Sequence, residues 1–291
     1  MNGSRTATLT SSWRLPTMRV GDFPVIPTAI IVVIGLLAIF AELIAPYNPE
    51  IGVLGQRFKP PFWQAGGSEA HLLGTDHLGR DVLSRLIFGA RNTVGIAFLT
   101  TIFAFLIGGT LGLLSATLGG WIDQILGRAV DVLMAIPQLI FALVLLSIVG
   151  TSIVNLMVII AVLDSTRVYR LSRAVAMNVV VLDFVEAAKL QGEKLGWIIS
   201  REVLPNIMPP LVAEFGLRFC FVFLTISALS FLGLGIQPPL ADWGSMVHDN
   251  ATLINYGDIT PLLPAGAIAL LTVGVNFIVD WFLHKASGLK E

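Results

Sequence analysis

The residues in this sequence that could do chemistry are sparse. Glu214 and Arg218 stand four apart inside an apolar run, so on one helix they face the same way and can pair, which lowers the cost of burying either. Charges in such a setting are functional candidates by default, and two readings compete: a structural clamp between helices, or a contact to a passing solute. The clamp is favoured. His71 and His77 lie six residues apart with no cysteine between them and no second ligand pair, and His248 and His284 are isolated, so no metal site is expected. The single cysteine, Cys220, sits in an apolar run and reads as core filling. No G-x-x-x-x-G-K-[ST] phosphate loop occurs, so the chain is not expected to bind ATP, and the absence of H-E-x-x-H and G-x-S-x-G elements argues against a metal or serine hydrolase.

The elements that carry these residues follow from composition. The chain has 291 residues, is 55% hydrophobic and only 13% charged, and has a mean hydropathy of +0.83. Soluble domains are roughly a quarter charged, so this is a membrane protein. A net charge of −1 supports no nucleic-acid partner. Six stretches are candidate spans: 25–45, 93–118, 129–149, 150–166, 207–235 and 259–283. The third contains Asp131 and Pro137, which is expected to kink it, and the fourth is short and closes at Asp164. Backbone groups in lipid must be satisfied within the segment, so the spans are helices and the fold class is an all-α polytopic membrane protein with about six transmembrane helices. Gly108, Gly109 and Gly112 allow close approach of a neighbouring helix.

Charge placement orients the chain. With the N-terminus inside, segments 1–24, 119–128, 166–205 and 284–291 hold twelve lysines and arginines, against five in the outside segments. Both termini are then cytoplasmic. The expected organisation is a tail over 1–24, a first helix with an extracytoplasmic connection over 25–92, a transport core over 93–283 containing a cytoplasmic loop at 166–205, and a second tail over 284–291. The apolar stretch after residue 24 is too long for a cleaved signal, so it reads as a retained anchor.

The cytoplasmic loop holds the polar stretch VLDFVEAAKLQGEKLGWIISREVLPN over 181–206. Glu186 to Leu190 are strong helix formers, Gly192 can supply a left-handed stop, and Leu195, Ile198, Ile199 and Val203 make an apolar face at helical spacing, with Pro205 ending the second piece. Such a stripe has no lipid to face. It packs either on its own bundle or in a groove of another protein. Upstream, Asp81 can cap a short interfacial helix in which Val82, Leu83, Leu86 and Ile87 share one side while Arg80, Arg85 and Arg91 stay polar.

Glu186-Ala187-Ala188, three residues, Gly192, ten residues, then Val203-Leu204-Pro205 resembles the EAA loop of ABC-importer permeases. The run from His71 to Arg85, HLLGTDHLGRDVLSR, resembles the signature of the C-type permease of dipeptide, oligopeptide and nickel importers. The likeness continues in Leu229 to Gly235, in Gln237-Pro238-Pro239 and in Trp243-Gly244, and so covers nearly the whole chain. Departures are Glu202, where relatives carry His or an apolar residue, and Ile226, where many dipeptide-type relatives carry a glutamate.

The resemblance implies the fold of a type I ABC-importer permease and half of a translocation pathway for dipeptides, oligopeptides or related small solutes. It implies that Glu186, Ala187, Ala188, Gly192, Leu204 and Pro205 couple to a cytoplasmic ATPase. For the 71–92 segment itself two readings stay open: a surface anchor, or a rim at Asp76, Arg80 and Asp81 contacted by an extracytoplasmic substrate-binding protein. The implied partners are a B-type permease subunit, one or two ATPase subunits, the binding protein and the lipid bilayer of a bacterial inner membrane. No cofactor is expected in this chain, because ATP and Mg are bound by partner subunits. The alternative is a secondary transporter not coupled to an ATPase, against which stand the absence of an evident internal repeat and of matching broken helices in the two halves.

Overall fold

The computed structural model describes residues 23–287, and within them the ordered elements are helices with no strand. The expected tails over 1–24 and 284–291 lie mostly outside the described residues. Helix α1 spans Val25–Ile39 and, after a one-residue break at Phe40, α2 spans Ala41–Ile44. The sequence 25–45 held no signal for that break. A long connection leads to α3, Val82–Leu118, which is one helix of 37 residues. The interfacial helix expected over 82–92 is its first part. Asp81 does cap it, accepting from the Ser84 N–H at 2.8 Å, but no residue after the cap breaks the helical hydrogen bonding, so the turn runs straight into the span.

The expected third span is two helices. α4, Gly120–Met134, and α5, Gln138–Val149, meet at 85°. Pro137 breaks this span where a kink was expected. Its ring drives the preceding residue away from helical geometry, and Pro137 itself takes the extended capping position of α5 at φ −55°, ψ 121°. Helix α6, Ile153–Val180, overruns the expected end at Thr166. Asp164 does not close it, because its carboxylate finds a partner within the bundle: the Gln138 side-chain amide donates to it at 2.6 Å.

After α6 come α7, Asp183–Leu190, the single turn α8, Leu195–Trp197, a wide π-type turn over Ile198–Val203, and α9, Leu204–Phe231. Helical structure is thus continuous from Leu195 to Phe231. Pro205 opens α9 instead of ending the second piece. The wide turn before it accommodates the ring and its missing N–H, so helical structure carries on through Pro205. The chain finishes with α10, Trp243–Asn250, and α11, Leu262–Ser287.

By length and composition three stretches can cross a bilayer, namely α3, the run from Leu195 to Phe231, and α11, and the bent pair α4–α5 makes a fourth. Helix α1 is only 15 residues long, and α6 carries Asp164, Arg167, Arg170 and Arg173, so neither of these two expected spans meets the same criterion.

The tightest packing joins α3 to α6. Ala97, Thr100, Thr101, Ala104, Gly108, Gly112 and Ser115 recur at helical spacing along α3 and all are buried. A Cβ on Gly112 would sit 2.7 Å from the Tyr169 carbonyl oxygen and 2.9 Å from Ser172 Cβ, and one on Gly108 would meet the Ser165 carbonyl and Val168. Residues rising along α3 therefore meet residues rising along α6, so the two helices run parallel in contact across their backbones. Gly109 points into open space and takes no part. At the N-terminal end of α3, Trp243 wedges α10 against that helix: its indole N–H donates to the Leu86 carbonyl at 2.8 Å, and its backbone N–H to the Thr93 hydroxyl at 3.1 Å.

Gly112→Leu is expected to destabilise the purified protein by at least about 1–3 kcal/mol, because the packed α6 backbone cannot yield to the added atoms. Gly109→Ala should instead gain up to about 1 kcal/mol from helix propensity. Thermal unfolding of the two variants side by side checks the pair.

Candidate functional site

The loop between α6 and α9 is built on a small second core. Val185 and Ala188 of α7, Ile198 and Val203 of the wide turn, and Ile207 and Leu211 of α9 pack with Leu113 of α3 and Ala176 of α6. Of the apolar stripe read from the sequence, Ile198 and Val203 enter this core, while Leu195 and Ile199 are half-buried. The stripe therefore packs on its own bundle. What stays outside is a different face: Phe184, Glu186, Ala187 and Leu190 of α7 are exposed, Leu190 at 83%. Leu204 is half-buried and Pro205 exposed at the start of α9.

The stop between the two pieces is set by one residue. Gly192 takes φ +81°, and around it the Gly192 N–H donates to the Lys189 carbonyl at 3.1 Å and the Glu193 N–H to the Ala188 carbonyl at 3.2 Å. These two bonds satisfy the last carbonyls of α7 and redirect the chain towards α8. A Cβ at Gly192 would touch nothing within 4 Å, so the demand for glycine is purely conformational.

The signature over 71–85 folds into a self-contained staple. The Asp76 carboxylate accepts from the Leu78 and Arg80 backbone N–H groups, each at 2.9 Å, and pairs with the Arg80 guanidinium at 2.7 Å and that of Arg85 at 3.5 Å. Gly79 turns the loop at φ +74°. His71 is held by Asp81 at 3.0 Å and by Gln56 at 2.6 Å, so this histidine serves the staple. Asp76, Arg80, Asp81 and Arg85 are all buried. Arg80 and Arg85 thus leave the polar outer side expected of them, because Asp76 offers both a partner inside the fold. Nearby, Asp242 caps α10 by accepting from the Ser245 N–H at 2.7 Å, and burial pushes its carboxyl above the usual carboxylate range.

Within the bundle, Glu214 and Arg218 do meet, at 2.7 Å on α9. The structure adds a third charge that sequence reading assigned to a helix end: Asp164 of α6, fully buried, lies 3.7 Å from Arg218. The guanidinium also sits 4.5 Å over the Phe221 ring, and Arg167 approaches the same ring at 5.9 Å. Nε and Nη1 of Arg218 and Oδ1 of Asp164 make no aligned hydrogen bond among the described residues, so charge attraction is what these three atoms contribute to the cluster. An acid in an apolar run was the available signal for Asp164. A further pair, Arg173 with Asp123, ties α6 to α4, and Asp123 also accepts from the Ser115 hydroxyl of α3. Among the described residues no group of acids, histidines and cysteine is placed to hold a metal.

Removing Arg218 leaves two carboxylates unpaired in a low-dielectric setting. Arg218→Leu is expected to cost about 3–5 kcal/mol and to lower the yield of folded protein, whereas Arg218→Leu combined with Asp164→Asn and Glu214→Gln should recover most of it. Monodisperse yield after purification measures this.

The comparisons with known proteins agree with this architecture. Residues 108–285 match the family described as the binding-protein-dependent transport system inner membrane component. The chain is 38% identical over 250 residues to the dipeptide transport system permease protein DppC of Escherichia coli (strain K12), covering 86% of this chain and 83% of that one. It is 33% identical over 275 residues to the DppC of Alkalihalophilus pseudofirmus, covering 94% and 88%, and 32% identical over 244 residues to the glutathione transport system permease protein GsiD of Pectobacterium atrosepticum, covering 84% and 79%. The chain belongs to the family of inner-membrane components of binding-protein-dependent transport systems, permease subunits whose ATPase is a separate chain.

Proposed function

We propose that this permease forms half of the pathway of a small-peptide importer, paired with a B-type permease and driven by one or two ATPase subunits that dock on α7. ATP and Mg stay on those subunits, and an extracytoplasmic binding protein delivers the solute. The orientation follows the charge asymmetry, with both termini cytoplasmic, so α7 faces the cytoplasm. The observation that carries the reading is the two-sided character of α7. Val185 and Ala188 fix it to the bundle, while Phe184, Glu186, Ala187 and Leu190 form an exposed patch, apolar with one acid, that the protein's own fold does not cover.

The peptide assignment is supported by relatives named for dipeptide and glutathione transport. At the opposite face, the rim role of Asp76, Arg80 and Asp81 is an indirect one. Their side chains are buried, so they serve a docking binding protein by shaping the loop whose exposed Leu72 and Leu78 it would touch.

Gly192→Val strains the stop by about 1–3 kcal/mol and misdirects α8, and Glu186→Lys reverses the charge at the middle of the patch. Both variants should insert in the membrane yet lose uptake and retain less ATPase on purification. Lys189→Ala, an exposed charge beside the patch, should transport at near-normal rates. Uptake and ATPase activity of reconstituted complexes at equal permease abundance are the measurement, and normal coupled transport in both loop variants refutes the docking role.

A further inference from the structure

The side of the bundle turned away from the charged cluster carries an apolar channel of about 420 Å³, walled by α1, α3, α9 and α11, with no charged residue in its lining. On α9 the channel wall is Val212, Phe215, Gly216 and Phe219, whereas Glu214, Arg218 and Phe221 form the polar face. At 100° per residue the two sets are centred about 150° apart. The channel therefore lies on the side of α9 opposite the charged cluster.

Its length matches one half of a bilayer. Along α11 the lining residues run from Leu271 to Phe282, about 16 Å at 1.5 Å per residue, close to half of the roughly 30 Å hydrocarbon core. One end is marked as a membrane interface. There the Trp281 ring meets Phe23 edge-on at 5.1 Å, and the Lys285 ammonium stands 5.0 Å over the same ring. An aromatic residue with a basic one at this level suits an anionic headgroup.

We infer that the channel binds one acyl chain of an anionic phospholipid whose phosphate is held by Lys285. Apolar walls with no hydrogen-bonding side chain but the Trp281 indole give a hydrocarbon tail a favourable setting and a polar solute none. Gly35 of α1 lines the channel, and a Cβ there would meet nothing within 4 Å, so a side chain at this position enters the space the tail would fill. The inference rests on the orientation proposed above only in naming the leaflet as cytoplasmic.

Native mass spectrometry of the complex purified in mild detergent, with extraction and identification of the retained lipid, tests it. The wild type should keep one anionic phospholipid per permease chain through delipidation. Gly35→Leu should lower that retention about tenfold, as a buried leucine competes with the tail. Lys285→Glu should keep the tail site but shift the retained lipid from anionic to zwitterionic. If Gly35→Leu is not recovered folded, Val212→Trp, at a half-exposed position on the channel wall, applies the same test. Unchanged retention in the channel-filling variant overturns the assignment. So does a crosslink from Gly35→Cys to a helix of the partner permease in place of lipid. An unchanged lipid class in Lys285→Glu overturns the headgroup contact. Co-purification of the ATPase in the same samples reads the coupling role separately.

Discussion

The small core beneath the loop is the contact on which the rest depends. Val185, Ala188, Ile198 and Val203 come from the polar stretch between α6 and α9, and they bury completely or nearly so against Leu113, Ala176, Ile207 and Leu211. Burying a medium-sized apolar side chain stabilises by about 1.5–3 kcal/mol, so several together hold the loop to α3, α6 and α9 against thermal release. A soluble motor that pulls on α7 therefore pulls on three long helices. Without this core the same residues would form a loose loop, and force would be lost in its bending.

The helices so engaged are the ones that position the buried charges. Both α6 and α9 run from the loop to the cluster, Asp164 on one and Glu214 with Arg218 on the other. Glycine-mediated contact binds α3 to α6, and the Arg173–Asp123 pair adds α4. A shift of α6 against α9 would separate Asp164 from Arg218, 3.7 Å apart. At the far end, the Asp76 staple and the Trp243 wedge keep the connection between α2 and α3 fixed to the start of α3.

Much of this was legible from sequence, and what was not has physical causes. The left-handed stop at Gly192, the cap at Asp81, the Glu214–Arg218 pair and the packing role of Gly108 and Gly112 each follow from local rules about backbone freedom, capping and helical spacing. The errors lie where a partner or a turn that the pattern does not reveal overrides a local signal. Asp164 looks like a helix end until Gln138, 26 residues away, satisfies it. Arg80 and Arg85 look solvent-facing until Asp76 draws them inward. Pro205 looks like a terminator because its neighbours' hydrogen-bond register is invisible in sequence, and the wide turn before it is what lets the helix continue. The 85° bend at Pro137 could be predicted in place but not in size, since packing on neighbouring helices decides where α5 goes.

The central claim is that the loop moves with α6 as one body. Spin labels at Glu193 and Val158, both exposed, in a Cys220→Ala background report on it through their distance in the assembled complex. The account predicts that this distance is the same in the ATP-free and ATP-trapped states to well within one helical turn, about 5 Å, even as distances from this permease to its partner change. A change of a full turn or more between the two states would show the loop sliding over the bundle and would contradict the account.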